Sequence, residues 1–188
     1  MPLLSGYMSG YLVFLSALCV VCAVVVIRSR SQDKALVTKD FKKFQRGYLI
    51  VYFIAMMSDW LQGPYVYALY AHYGFSRGDI AFLFVAGFGS SMIFGTFVGS
   101  LADRYGRKLN CVVFGILYGL SCLTKHFNNF SVLLLGRLLG GIATSILFSA
   151  FESWMVAEHK QAAFPEEWLA HTFATMTFGN GVVAIVSG

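Results

Sequence analysis

The chain has 188 residues, of which 57% are hydrophobic and only 12% charged, about half the charged share of an ordinary soluble domain. Its formal charge of +5 is gathered in clusters set between apolar runs, which argues against a nucleic-acid partner and for an integral membrane protein. No nucleophile–base pair, metal cluster or phosphate loop points to an enzyme.

A helix needs about 20 apolar residues to cross a bilayer. The first such run, Tyr7 to Ile27, carries no charge. It has no Lys or Arg before it and Arg28-Ser29-Arg30 after it, the reverse of a cleaved signal peptide, so it reads as a retained anchor with its N-terminus outside. Cys19-x-x-Cys22 lies in this run among Val, Ala and Leu. With no His or second Cys pair nearby, it reads as small apolar residues rather than a redox or metal site, as do Cys111 and Cys122. A basic stretch, 28–46, follows and holds seven of the fourteen Lys and Arg.

Five further runs follow: Gly47 to Ala71, Ile80 to Leu101, Leu109 to Thr124, Ser131 to Met155, and Trp168 to Gly188. The chain stops while the last is still apolar. With the N-terminus outside, the inner loops 28–46, 102–108 and 156–167 hold eleven Lys and Arg, and the outer loops only Arg77 and Lys125. That bias fixes the expected orientation. The sequon Asn129-Phe130-Ser131 then falls on an outer loop, although one too short for ready glycosylation. The expected division is an anchor helix over 1–27, a cytoplasmic loop over 28–46, and a helical body over 47–188.

Small residues recur at helical spacing. Gly87, Ser91, Gly95 and Gly99 lie four apart, on one face of their helix. Gly136 and Gly140, with Gly141, Ser145 and Ser149 beside them, do the same further on, and Gly115 and Gly119 mark the run between. Small faces let backbones approach closely in lipid. They predict a tight multi-helix bundle, with a dimer face as the alternative.

The most specific string is Gly99-Ser-Leu-Ala-Asp103-Arg104-Tyr-Gly106-Arg107-Lys108. Gly106 permits a sharp turn, and Arg104, Arg107 and Lys108 hold the loop at the membrane face. Glu152, at the inner end of its run, is a plausible partner for Arg107. The string resembles the signature loop of the major facilitator superfamily and falls on the predicted inner loop after the second core helix, where that family places it. Asp59-Trp-Leu-Gln62-Gly-Pro64-Tyr65, Cys122-Leu-Thr-Lys125, Gly136-Arg137, Gly140-Gly141 and Phe148-Ser-Ala-Phe-Glu152-Ser-Trp154 are similar to the molybdate-anion transporter branch, which also adds a helix before the core.

The resemblance implies an all-α, partial major facilitator fold of about six transmembrane helices: one extra anchor plus about five of the N-terminal half. It implies transport of molybdate or a related oxyanion by alternating access, with protons as a candidate coupling ion, a plasma-membrane location, and a remaining C-terminal half as partner. The segment alone is not expected to transport. It further implies that Gly99, Asp103, Arg104, Gly106, Arg107, Lys108 and Glu152 form a conformational latch. A facilitator for another solute such as a sugar, and a non-transporting membrane adaptor, are the alternatives.

An ionisable group at membrane depth is costly and commonly functional. Asp59 lies about 18 Å along its helix from either end, and could carry a coupled proton or simply pair with Arg137 or a Tyr hydroxyl. Arg137 lies about two turns inside its helix, where a guanidinium fork suits an oxyanion or a buried salt bridge. Gln62, Tyr65, Tyr67, Ser145, Ser149 and Asn180 are candidates for the same cavity. Pro64 is expected to bend its helix. His72, His126, His159 and His171 are too scattered for a metal site, and no cofactor is expected.

Overall fold

The computed structural model describes residues 12–25 and 38–188, except for the side chains of residues 101–103. The described residues form six helices and their connections, with no strand among them. Helix α1, Leu12–Val25, falls inside the expected anchor; the remainder of that run, and residues 28–37 of the basic stretch, lie outside the described residues. Contacts divide the chain between Lys42 and Lys43, and the helical bundle is built within residues 43–188.

Helix α2 spans Lys39–His72. It begins at Lys39 rather than Gly47, which corrects the inner boundary of the 28–46 loop: residues 39–46 are helical. The physical reason is local. Thr38 Oγ1 accepts from Phe41 N at 3.3 Å, a helix cap, and Lys and Arg are good helix formers whose long stems reach water from a membrane-edge turn. The helix continues through Pro64, which leaves the Trp60 carbonyl without its helical donor.

Gly74, at φ +85°, turns the chain into α3, Arg77–Tyr105. Its start is a capping box: Ser76 Oγ accepts from Asp79 N at 3.2 Å, and Asp79 Oδ2 accepts from Ser76 N at 3.2 Å. Gly106, at φ +97°, separates α3 from α4, Arg107–Thr124, so the signature-loop glycine occupies a backbone conformation that side chains disfavour. Helix α5 spans Phe130–Gln161. Asn129 Oδ1 caps it by accepting from Ser131 N at 3.0 Å and Val132 N at 3.3 Å, so the sequon asparagine is already engaged by its own helix. Helix α6 spans Glu166–Ser187. Helix α5 runs past Met155, and the expected inner loop 156–167 contracts to residues 162–165.

Helix α5 sits centrally and packs closely on both α3 and α4. Small residues make this approach possible. A Cβ on Gly141 would strike the Gly87 carbonyl oxygen and Ser90 Oγ, and one on Gly136 would strike Thr124. Against α2 the packing is aromatic. Tyr48 OH donates to the Phe151 carbonyl at 2.9 Å, and from α4 Phe114 meets Phe151 edge-on at 5.5 Å. These rings join Tyr52, Met56, Leu147, Met155 and Met176 in the main core. A second cluster joins Val66, Tyr70, Ile80, Leu83 and Leu133.

The outer surface is apolar. Met92 is 73% exposed and Ile185 81%, a display that water would penalise and lipid tails solvate. Among the described residues, α3, α5 and α6 are long and apolar enough to cross a membrane by length and composition. Helices α2 and α4 carry more polar residues and belong to the same core. The chain is an integral membrane protein with an all-α fold.

Candidate substrate site

A cavity of about 140 Å³ opens among α2, α3, α4 and α5. Helix α2 contributes Asp59 and Gln62, α3 contributes Gly87, Phe88 and Ser91, and α4 contributes Ser121. Helix α5 contributes Arg137, Gly140, Gly141 and Thr144. Apart from Phe88 and Arg137, the side chains that α3 and α5 turn to it are small.

Asp59 is held by hydroxyls. Tyr118 OH lies 3.2 Å from Asp59 Oδ1 and 3.0 Å from the Ser58 carbonyl. Thr144 Oγ1 lies 3.4 Å from Asp59 Oδ1 and 3.0 Å from the Gly140 carbonyl. Each hydroxyl has one proton, so the carboxylate competes with a backbone carbonyl for each. Gln62 Nε2 donates to Tyr118 OH, while Gln62 Oε1 is buried with no hydrogen-bond partner among the described residues. Helices α2, α4 and α5 therefore meet in one polar network around Asp59.

Arg137 faces the same cavity but does not hydrogen-bond Asp59. Its Nε donates to the Leu83 carbonyl at 3.3 Å, and its guanidinium carbon lies 4.6 Å from the Phe84 ring centre and 6.0 Å from that of Phe88. These are cation–π distances. The two Nη groups make no hydrogen bond to the described residues and are left for the cavity. Five N–H donors in a planar fork suit a tetrahedral oxyanion. Beyond the end of α4, Lys125 Nζ is buried with no hydrogen-bond partner among the described residues, and burial pushes its pKa down from the ordinary lysine value.

The other candidates divide. Ser145 Oγ donates to the Ser91 carbonyl at 2.6 Å and lies 3.0 Å from Ser91 Oγ, tying α5 to α3 beside the cavity. Ser149 Oγ is 2.7 Å from the Ser145 carbonyl. Asn180 Oδ1 accepts from Trp60 Nε1 at 2.8 Å, joining α6 to α2. Tyr65 and Tyr67 are exposed at 60% and 50% and do not line the cavity. In the signature loop, Arg104 stands 5.6 Å from the Tyr105 ring centre, Arg107 is half-buried, and Lys108 and Glu152 are exposed. The Asp103 side chain lies outside the described residues. A Cβ on Gly99 would meet nothing within 4 Å.

Tyr118, Thr144, Phe84 and Phe88 were not singled out by the sequence reading. Their types are ordinary in membrane helices, and only the crossing of the helices brings them to Asp59 and Arg137.

Residues 10–188 match a family described as sugar transporters with 12 transmembrane spans. The chain is 43% identical over 159 residues to the molybdate-anion transporter of Xenopus tropicalis, covering 84% of this chain and 35% of that one. It is 39% identical over 186 residues to the protein of the same name from Takifugu rubripes, covering 97% and 39%. A shorter likeness, 36% over 75 residues, links it to the quinolone resistance protein NorA of Staphylococcus aureus, covering 39% of this chain and 19% of that one.

Proposed function

The chain belongs to the major facilitator family of twelve-span sugar transporters, and on that premise we propose that it forms one wall of a molybdate pathway. The chain spans just over a third of the length of the curated molybdate-anion transporters it matches. Transport is therefore proposed for a protein that carries this segment together with a second helical half, the two rocking about a midplane site.

The observation that carries the reading is Arg137. A guanidinium that gives only Nε to the described residues and turns its Nη fork to a cavity is suited to a tetrahedral dianion. Asp59 is the proposed proton site: an ionised carboxylate in the same cavity repels a dianion, and a protonated one does not. Gln62, Ser91 and Thr144 supply further hydrogen bonds. Ser145, Ser149, Asn180 and Tyr65 act, on this reading, through helix packing or at the face toward the second half. The loop Gly99 to Lys108, with Asp103 and Glu152, is the proposed latch. The positive-inside bias supports an outside N-terminus, and the plasma membrane is the proposed location.

The test is uptake of molybdate into vesicles containing the transporter, with tungstate and sulfate as competitors. Saturable uptake, inhibited by tungstate and weakened in KM by Arg137→Lys, is the expected result. Arg137→Lys with an unchanged KM would sink the assignment. The description of the family favours sugar as the second reading, and competition by hexoses with indifference to tungstate would select it.

A further inference from the structure

The four residues that surround Arg137 on α3 fall within little more than one helical turn. The Leu83 carbonyl takes the Nε proton. The Phe84 ring lies under the guanidinium, with Phe88 further along the same face. Gly87 leaves the space the group occupies: a Cβ there would stand 2.9 Å from both Nε and Nη2 and 3.1 Å from Cζ. Arg137 is thus held against α3 although it belongs to α5. A free arginine side chain has many rotamers, and holding it in one costs up to about 2 kcal/mol. Here the carbonyl, the ring and the absent methyl have already selected one.

We infer that Leu83, Phe84 and Gly87 form a positioning cradle, with Gly87 the residue that sets the oxyanion affinity of Arg137. The inference rests on the reading of Arg137 as the anion-binding group. Its chemistry is orientation. With Nε engaged and the guanidinium carbon 4.6 Å over the Phe84 ring, the Nη edge is the part left to meet an oxyanion, and it can do so through two parallel N–H bonds. A methyl on Gly87 cannot share the place of the guanidinium. Because the displaced group is the far end of a long side chain, the helices need not part. The fork alone moves, and a fork displaced by a fraction of its hydrogen-bond length no longer meets both oxygens. Gly87 therefore acts through Arg137 and does not itself touch the anion.

The experiment measures molybdate KM and Vmax per surface transporter for Gly87→Ala, Arg137→Lys and the double variant. Gly87→Ala is expected to raise KM about tenfold, the value of one misaligned charge-assisted hydrogen bond, with Vmax retained. Lysine has no fork to misplace, so the double variant is expected to match Arg137→Lys alone. A wild-type KM in Gly87→Ala overturns the cradle, as does a KM penalty that persists in full in the lysine background. If Arg137→Lys itself leaves KM unchanged, the oxyanion reading fails instead, and the two failures are distinct. Where Gly87→Ala does not reach the membrane, Phe84 decides. Phe84→Leu is expected to raise KM and Phe84→Tyr, which keeps the ring, to preserve it; equal KM values for the two overturn the inference.

Discussion

Replacing Gly141 by alanine places a methyl at a tight contact between α3 and α5. The added carbon would run into the Gly87 carbonyl oxygen, which is backbone, and into Ser90 Oγ. Ser90 Oγ lies 2.8 Å from the Gly87 carbonyl and 3.2 Å from that of Leu138, so its displacement also weakens a bond between helices. Overpacking a tight contact costs roughly 1–3 kcal/mol, and a weakened hydrogen bond roughly 0.5–1.5 kcal/mol. Alanine returns about 1 kcal/mol through its better helix propensity. The net loss is about 2 kcal/mol, which for a chain of this size lowers the unfolding temperature by roughly 4–8 °C. The assay is thermal unfolding of the purified protein in detergent, read by size-exclusion recovery. Gly115→Ala is the control, because a Cβ there meets nothing within 4 Å and the propensity term acts alone. An unfolding temperature for Gly141→Ala equal to or above that of Gly115→Ala would refute the close approach of α3 and α5.

Tyr118→Phe removes the hydroxyl shared by Asp59, the Ser58 carbonyl and Gln62; stranding these groups is expected to cost roughly 1–3 kcal/mol, and an unchanged melting temperature would count against the network. Asp59→Asn cannot lose a proton, so the transporter carrying it is expected to show molybdate uptake independent of pH; a wild-type pH profile would remove Asp59 as the proton site. Lys125→Met takes away a buried ammonium without a hydrogen-bond partner among the described residues and keeps a long apolar stem, so it is expected to raise thermal stability by about 1 kcal/mol. A fall in stability would mean that the ammonium is partnered.

Much of the helical plan was legible, and the reasons are physical. Periodic small residues marked Gly136, Gly140 and Gly141 as contact positions, and each faces a side chain or backbone of α3 or α4. The same rule failed at Gly115 and Gly119, where a Cβ would meet nothing within 4 Å: spacing identifies a face but not whether a neighbour covers it. The start of α2 was missed because hydropathy reports where apolar residues stop, whereas Thr38 capping and helix-forming lysines decide where the helix stops. At the site, Asp59 and Arg137 stood out because charge is rare at membrane depth. Their partners did not. The sequence left Asp59 between Arg137 and a tyrosine hydroxyl, and the structure places it beside Tyr118 and Thr144. Nothing in the linear order sets Tyr118 apart from the chain's other tyrosines.

The position of the cavity follows from a change of side-chain size along α5. Its first half presents Gly136, Gly140, Gly141, Thr144 and Ser145 to α3 and α4, which draws those helices close but leaves room, lined by polar groups, toward α2. Its second half presents Leu147, Phe151 and Met155, all buried, to Tyr48, Tyr52 and Phe114, and there the space is filled. A cavity with one filled end is what a helix of uniform size would not produce: all-small residues would close the bundle throughout, and all-large ones would hold it apart or plug it. A substrate leaving past the filled half would have to part α2 from α5, breaking the Tyr48 bond to the Phe151 carbonyl and the ring contacts around it. Each of those interactions is worth roughly 1 kcal/mol. On the proposed function, the small half of α5 lines the site, and the aromatic half is the part that would have to open.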